Sequence, residues 1–213
     1  MKLSGITTII WDLDNTLYRR NPQLQKDLRE AEISVICRHT RWDRQKSITE
    51  FESIHKSVYQ SATEASAHLA HIPIPQAAKE MEEYFDRVKF LSRDPRLLDM
   101  FGKLKTYEHF ILTNGIIEQA VQAIRALGLS AGQFKEIITS EQTGVNKPDP
   151  AGFLYIMDRT GKSASAHLMV GDRDEVDIEP AKKLGMKTCF VWGESTIADI
   201  SLQTVYEIPK ILT

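Results

Sequence analysis

The sequence predicts an α/β protein, a parallel sheet whose first strand is separated from the rest by a helical unit. Residues 6–11 form a β-branched and aromatic run without strict alternation, the pattern of a central strand buried on both faces. Residues 23–90 contain no glycine, are rich in Lys, Glu, Gln and Ala, and repeat apolar residues at helical spacing, as in Ile33, Ile36 and Cys37, then Ile54, Val58 and Ala62. From Asp94 onward strand-like and helix-like stretches alternate, the rhythm of βαβ units.

Strand one ends just before Asp12. The glycine-free stretch divides into three or four helices broken near Pro73 and Pro75, whose rings do not continue a helix interior. Next comes a helix over residues 95–103, opened by Pro95 in its first turn behind Asp94. A strand over 109–112 follows, then a helix over 118–127 closed by Gly128, and a strand over 134–139. The remaining alternation is a helix over 150–159, a strand over 166–170, a helix over 178–184 closed by Gly185, and a strand over 188–191. A short strand near Ile200 and a last helix from about Tyr206 complete the chain. The division is thus a core of residues 1–20 and 91–213 and a helical insertion of residues 21–90.

Composition narrows the function. Among 213 residues, Lys and Arg number 27 and Asp and Glu 29, a net charge of −2 with no long run of either sign. Nothing draws such a chain to nucleic acid or to anionic membranes, so the expected partner is a small molecule, with the protein a monomer or homodimer. The two cysteines, Cys37 and Cys189, have no companions at metal-ligand spacing and read as core residues. The N-terminal residues lack the apolar core of a signal peptide, and apolar runs stay short of a membrane span. These features predict a cytoplasmic protein.

In open parallel sheets ligands bind beyond the carboxyl ends of the strands, and the residues just after each predicted strand are polar here. Strand one delivers Asp12-Leu13-Asp14-Asn15-Thr16, and a second delivers Thr113-Asn114-Gly115. Asn146-Lys147-Pro148-Asp149 precedes the helix at Pro150, and a later strand delivers Gly171-Asp172 and the acidic stretch to Asp177. Asp12, Asp14 and Asp172 in one crevice would repel one another unless a cation sat between them, and an all-oxygen site with few carboxylates suits Mg²⁺. Thr113 and the backbone amides of Asn114 and Gly115 make an anion cradle at a helix opening, to which Lys147 adds a fixed positive charge. Together they describe a place for a phosphoryl group beside a metal, with a carboxylate positioned to attack it.

These four segments, Asp12-Leu13-Asp14-Asn15-Thr16-Leu17-Tyr18, Ile111-Leu112-Thr113-Asn114-Gly115, Asn146-Lys147-Pro148 and Gly171-Asp172 with Asp177, resemble the ordered motifs of the haloacid dehalogenase-like hydrolase superfamily. The resemblance implies a Rossmann-like parallel sheet core with an inserted helical cap domain, and a Mg²⁺-dependent phosphatase acting on a small phosphorylated metabolite. It makes Asp12 the nucleophile that forms an aspartyl-phosphate and Asp14 the general acid and base. Thr113, Asn114 and Lys147 become substrate-binding, and Asp12, the Asp14 carbonyl and Asp172 hold the metal. Asp177 lies one layer out, near the metal or Lys147. Dehalogenases of the superfamily lack the acid that Asp14 supplies, so dehalogenation is disfavoured.

The Asp-Asn-Thr-Leu-Tyr continuation, with Asp94-Pro95-Arg96-Leu97-Leu98, is similar to the pyrimidine 5'-nucleotidase-like branch, which implies a nucleoside monophosphate or sugar phosphate as substrate. Arg173 stands where many relatives carry serine. A phosphomutase and a catalytically silent phosphometabolite-binding protein are the alternative readings. Tyr18, Arg19 and Arg20 are expected near the mouth of the site. Arg38, His39, Arg41 and Trp42 read first as a solvated helix face and second as a reader of base or sugar.

Overall fold

Buried strands must satisfy their backbone groups with one another, and the apolar runs of this chain do so side by side. In the computed structural model, which describes residues 2–212, the strands are β1 (Thr8–Trp11), β2 (Glu108–Leu112), β3 (Glu136–Ile138), β4 (His167–Gly171), β5 (Lys187–Val191) and β6 (Ile200–Leu202). They form one six-stranded sheet in the order β3-β2-β1-β4-β5-β6, and all pairings are parallel. The chain builds outward from β1 in one direction through β3, then returns to its other side for β4. That reversal leaves a crevice beside β1, the place where ligands bind in such sheets. Trp11 lies opposite Ile111 on one side and Val170 on the other. The segments beginning at Asp12, Thr113 and Asp172 therefore leave the sheet along one edge.

Side chains alternate across β1. Ile9 and Trp11 join a core with Leu97, Phe101, Ile111 and Leu168, while Ile10 joins Phe110, Phe153, Ile156 and Met169 on the opposite face. Helices α5 (Pro95–Lys103), α6 (Ile117–Ala126), α8 (Ala151–Thr160), α9 (Glu179–Lys183) and α10 (Ile208–Ile211) belong to this part, as does the short α7 (Ser140–Thr143). Within it, Trp11 Nε1 donates to His109 Nδ1 at 3.1 Å, and His109 Nε2 lies 3.1 Å from the Leu104 carbonyl. The buried indole and imidazole thus satisfy one another in the neutral imidazole state, and burial lowers the His109 pKa.

Residues 22–81 form four helices, α1 (Pro22–Thr40), α2 (Arg44–Ile54), α3 (Ala62–Ala70) and α4 (Ile74–Met81). Asn21, Asp43 and Ser61 cap the first three, each accepting a backbone N–H through its side chain, worth about 1 kcal/mol apiece. Pro73 falls in the gap before α4, and Pro75 sits in its first turn, where a missing N–H costs nothing. Helix α1 is buried on two sides: Ile33 and Ile36 pack with Phe51, Ala65 and Leu69, and Ala31 and Val35 pack with Ala70 and Met81. These helices therefore carry apolar clusters of their own. Cys37 is half-buried against the first cluster, Cys189 is buried in the sheet core, and both are free.

Two stretches differ from the expectation. The segment before Pro150 contains α7, which Thr139 and Gln142 open with a capping box. The helix expected over 178–184 begins earlier, as a π-helical turn (Asp174–Ile178) that runs into α9. Among the described residues, no helix is long and apolar enough to cross a membrane. Phe51 has no exposed surface, so Phe51→Ala is expected to destabilise the protein by about 3–5 kcal/mol in chemical denaturation; a loss below about 1 kcal/mol would mean that the helices do not depend on that cluster.

Candidate active site

At the carboxyl edge of the sheet, one lysine holds two carboxylates. Lys147 is buried, and its Nζ donates to Asp12 Oδ1 at 2.8 Å and to Asp177 Oδ1 at 2.6 Å. The second oxygen of Asp12 accepts from Thr16 Oγ1 at 2.8 Å. Burial pushes the Asp12 carboxyl up, Lys147 pulls it down, and Asp177 and Asp172 push it up again, leaving it at about 6. For Lys147, burial favours the neutral form, but Asp12 and Asp177 overcome it and hold the ammonium above its ordinary range.

Local backbone explains how Asp177 reaches that lysine. In the π-helical turn the amides of Asp177 and Ile178 both donate to the Arg173 carbonyl, at 2.9 and 3.3 Å, and the extra residue turns Asp177 inward. Gly171 makes room: a Cβ there would lie 2.4 Å from the Asp177 Cβ. Asp172 Oδ2 accepts from Asn15 Nδ2 at 2.6 Å, with Asn15 in the left-handed region at φ 65°, which asparagine tolerates better than most residues. The other oxygen, Asp172 Oδ1, is buried and has no partner among the described residues, and burial followed by Asp177 raises the Asp172 pKa. One oxygen each from Asp12, Asp172 and Asp177 lie within 4.8 Å of one another. Closely spaced buried carboxylates, one with an orphaned oxygen, fit a hard cation, so this cluster is able to bind a metal ion.

Thr113 is buried, and its Oγ1 accepts from the Gly115 amide at 3.3 Å. The Asn114 side chain clamps the Lys147 backbone in both directions: Oδ1 accepts from Lys147 N at 2.8 Å and Nδ2 donates to Lys147 O at 2.9 Å. Its amide is therefore spent on aiming the lysine, across a cis Lys147–Pro148 peptide.

The Asp14 carboxylate points away from the acidic cluster, toward the helical insertion. Its Oδ1 accepts from Arg87 Nη1 at 2.8 Å and from the Tyr18 hydroxyl, and Arg20 Nη2 lies 3.6 Å from Oδ2. Burial alone would raise this carboxyl, but Arg87 and Arg20 hold it well below the usual carboxylate range. The other Nη of Arg87 pairs with Glu82, whose carboxyl burial pushes up to about 7 against the pull of Arg87. A cavity of about 90 Å³ lies between these groups and the sheet edge, with Asp12, Asp14, Thr113 and Arg173 on one side and Glu82 and Arg87 on the other.

Asp12, Asp172, Asp177 and Lys147 thus meet directly, Thr113 and Asn114 flank them, and Asp14 stands one step toward the insertion. Sequence reasoning did not single out Glu82 and Arg87, which lie in a polar stretch resembling any solvated helix end. Arg20 lines the cavity, whereas Arg19 packs over the Trp192 ring and Tyr18 bonds Asp14. The Arg38–Trp42 cluster is committed elsewhere: Arg38 pairs with Glu80 and Glu83, His39 with Glu80, and Lys46 covers the Trp42 ring.

Comparison with known proteins places the chain. Residues 9–191 match the family model described as haloacid dehalogenase-like hydrolase. The chain is 27% identical over 194 residues to a glyceraldehyde 3-phosphate phosphatase of Methanocaldococcus jannaschii, across 86% of this chain and 83% of that one. Among solved structures, a HAD phosphatase from Thermococcus onnurineus shares the fold with a TM-score of 0.69 at 22% identity, over 97% of each chain. The putative HAD-hydrolase YfnB of Bacillus subtilis, solved bound to magnesium, does so with a TM-score of 0.58 at 21% identity, over 97% of this chain and 98% of its own.

Arg87 is the buried partner of two acids, and removing it leaves Asp14 with Arg20 and Tyr18 only and takes from Glu82 the arginine that pairs with it. Arg87→Met is expected to destabilise the protein by about 3–5 kcal/mol, measured by urea denaturation, with Glu82→Gln in the same chain recovering part of the loss. A neutral effect of Arg87→Met would show that Arg20 alone satisfies Asp14.

Proposed function

The chain belongs to the haloacid dehalogenase-like hydrolase family and is a hydrolase of phosphoric monoesters, and from that premise we propose a Mg²⁺-dependent phosphatase of a small phosphorylated metabolite, working through an aspartyl-phosphate at Asp12. The observation that carries the reading is the buried Asp12 carboxylate, held on one oxygen by Lys147 and on the other by Thr16, beside the partnerless oxygen of Asp172. The side chains of Asp12 and Asp172 and the carbonyl of Asp14 would hold the ion, with Asp177 alongside. When bound, the ion supplies positive charge that lets these acids stay ionised together while a dianionic phosphoryl group enters.

Asp12 forms a bond to phosphorus as the ester oxygen leaves with a proton from Asp14. Water then attacks the same phosphorus, returns its proton to Asp14 and frees Asp12 and inorganic phosphate. Thr113, the backbone N–H of Asn114, and Lys147 take the phosphoryl oxygens, so most of the rate comes from fixed charge and positioning. Arg87 holds Asp14 ionised in the present arrangement, a form suited to accepting the proton of water; donating one requires that pair to open. The name of the archaeal relative, a glyceraldehyde 3-phosphate phosphatase, favours a sugar phosphate or shorter ester over a nucleoside monophosphate. The reading assigns a cytoplasmic location, in line with two free cysteines.

The test is phosphate release from a panel of phosphomonoesters, with Mg²⁺ or chelator, by wild type and Asp12→Asn. Metal-dependent release that falls at least roughly a thousandfold in the variant is expected; normal release by purified Asp12→Asn would overturn the assignment. The pH dependence of ion binding follows from Asp12. Its carboxyl titrates at about 6, so acidification through that value protonates a proposed ligand. Mg²⁺ affinity is expected to be roughly tenfold weaker at pH 5 than at pH 7.5 by calorimetry, and equal affinities would remove Asp12 from the ion's ligands.

A further inference from the structure

The cavity has a second end, away from the phosphoryl position, built by the helical insertion. Leu28, Ala78 and Met81 give it an apolar wall, and its polar lining includes Glu32, Ser61, Thr63, Glu82 and Arg87. The side chains of Arg87 and Glu82 are 5% and 8% exposed and pair with each other. Three buried polar atoms of cavity-lining residues nevertheless have no partner among the described residues: the acceptor Glu82 Oε2 and the donors Arg87 Nε and Arg20 Nε. A buried polar atom left alone costs about 1–3 kcal/mol, and such atoms in a native fold require an explanation. A hydrogen-bonding molecule in the cavity would supply it.

Two donors and one acceptor suit hydroxyl groups, which give a proton to a carboxylate oxygen and accept from an arginine N–H. They do not suit a carboxylate, which has no proton for Glu82 and meets a second acid, Glu32, in the same cavity. The two arginines at this end already face acids. Arg87 is divided between Asp14 and Glu82, and Arg20 also lies against Asp14. Arg173 lies at the phosphoryl end of the cavity, where its backbone N–H donates to Asp177 Oδ2 at 3.2 Å. A space of about 90 Å³ admits a handful of non-hydrogen atoms, several water-sized groups by volume.

We propose that Glu82 and Arg87 form a hydroxyl-reading pair that selects phosphomonoesters of short, uncharged, hydroxyl-bearing alcohols and excludes esters of equal size that carry a carboxylate. This rests on the phosphatase reading above, and deepens it by assigning the selection to two residues of the insertion. Sites built to hydrogen-bond a hydroxyl discriminate strongly because the wrong ligand leaves their buried groups unpaired.

The test compares glycerol 3-phosphate with phosphoglycolate at about pH 8.5, where Glu82 is ionised. Affinity is measured calorimetrically with Mg²⁺ on Asp12→Asn, and kcat/KM is measured on wild type. A preference for glycerol 3-phosphate of at least roughly a hundredfold is expected in both, falling below about tenfold in Glu82→Gln. Equal or reversed preference in the wild type and in Asp12→Asn overturns the proposal, as does an unchanged preference in folded Glu82→Gln. Should Glu82→Gln fail to fold, the first two ratios decide. Absence of turnover with any ester, alongside an intact binding preference on Asp12→Asn, counts against the phosphatase reading and supports this one.

Discussion

The active-site end of this fold depends on one buried ammonium group. Lys147 Nζ lies between Asp12 and Asp177, and without it two buried carboxylates would share a site with no cation between them. Desolvating three charges is expensive, and pairs of this kind seldom add net stability. Their value lies in position. The Asn114 clamp fixes the lysine backbone, the π-helical turn delivers Asp177, and the missing side chain of Gly171 lets that acid come close. Each feature would be a poor choice for stability alone, and each follows from the need to hold opposite charges within hydrogen-bond distance of a carboxylate at the end of β1.

A second charged group joins the sheet to the inserted helices. Arg87 binds Asp14 on one side and Glu82 on the other, so the acid beside the reacting position and the far end of the cavity share one guanidinium. Interactions that share a group are not independent. In the proposed mechanism Asp14 carries a proton at one stage and lacks it at another, and Arg87 favours the ionised form. A ligand that engages Glu82 or Arg87 therefore acts on Asp14 as well, which links what the insertion binds to the proton inventory of the reaction.

Most of the architecture was legible in the sequence because strands buried on both faces leave continuous apolar runs, and because Pro95, Gly128 and Gly185 mark helix ends by backbone chemistry. The order of polar segments along the chain points to Asp12, Thr113, Lys147 and Asp172. The π-helical turn was not legible, since a helical period does not reveal one inserted residue, nor was the four-residue helix α7. Glu82 and Arg87 were hidden for another reason. Charged residues on insertion helices usually face water, and only tertiary placement distinguishes Arg87 from Arg38, which pairs at the surface with Glu80 and Glu83. The sequence places Asp177 near the metal or Lys147, and in the fold it accepts from Lys147 Nζ at 2.6 Å.

The central claim is that phosphoryl transfer passes through Asp12 rather than directly to water. The stereochemical course at an isotopically chiral phosphoryl group tests it most directly. Two successive in-line displacements, first by Asp12 and then by water, restore the original configuration, so the account predicts retention. Inversion would mean a single displacement by water, and would leave the buried Asp12–Lys147–Asp177 group with a role other than nucleophilic catalysis.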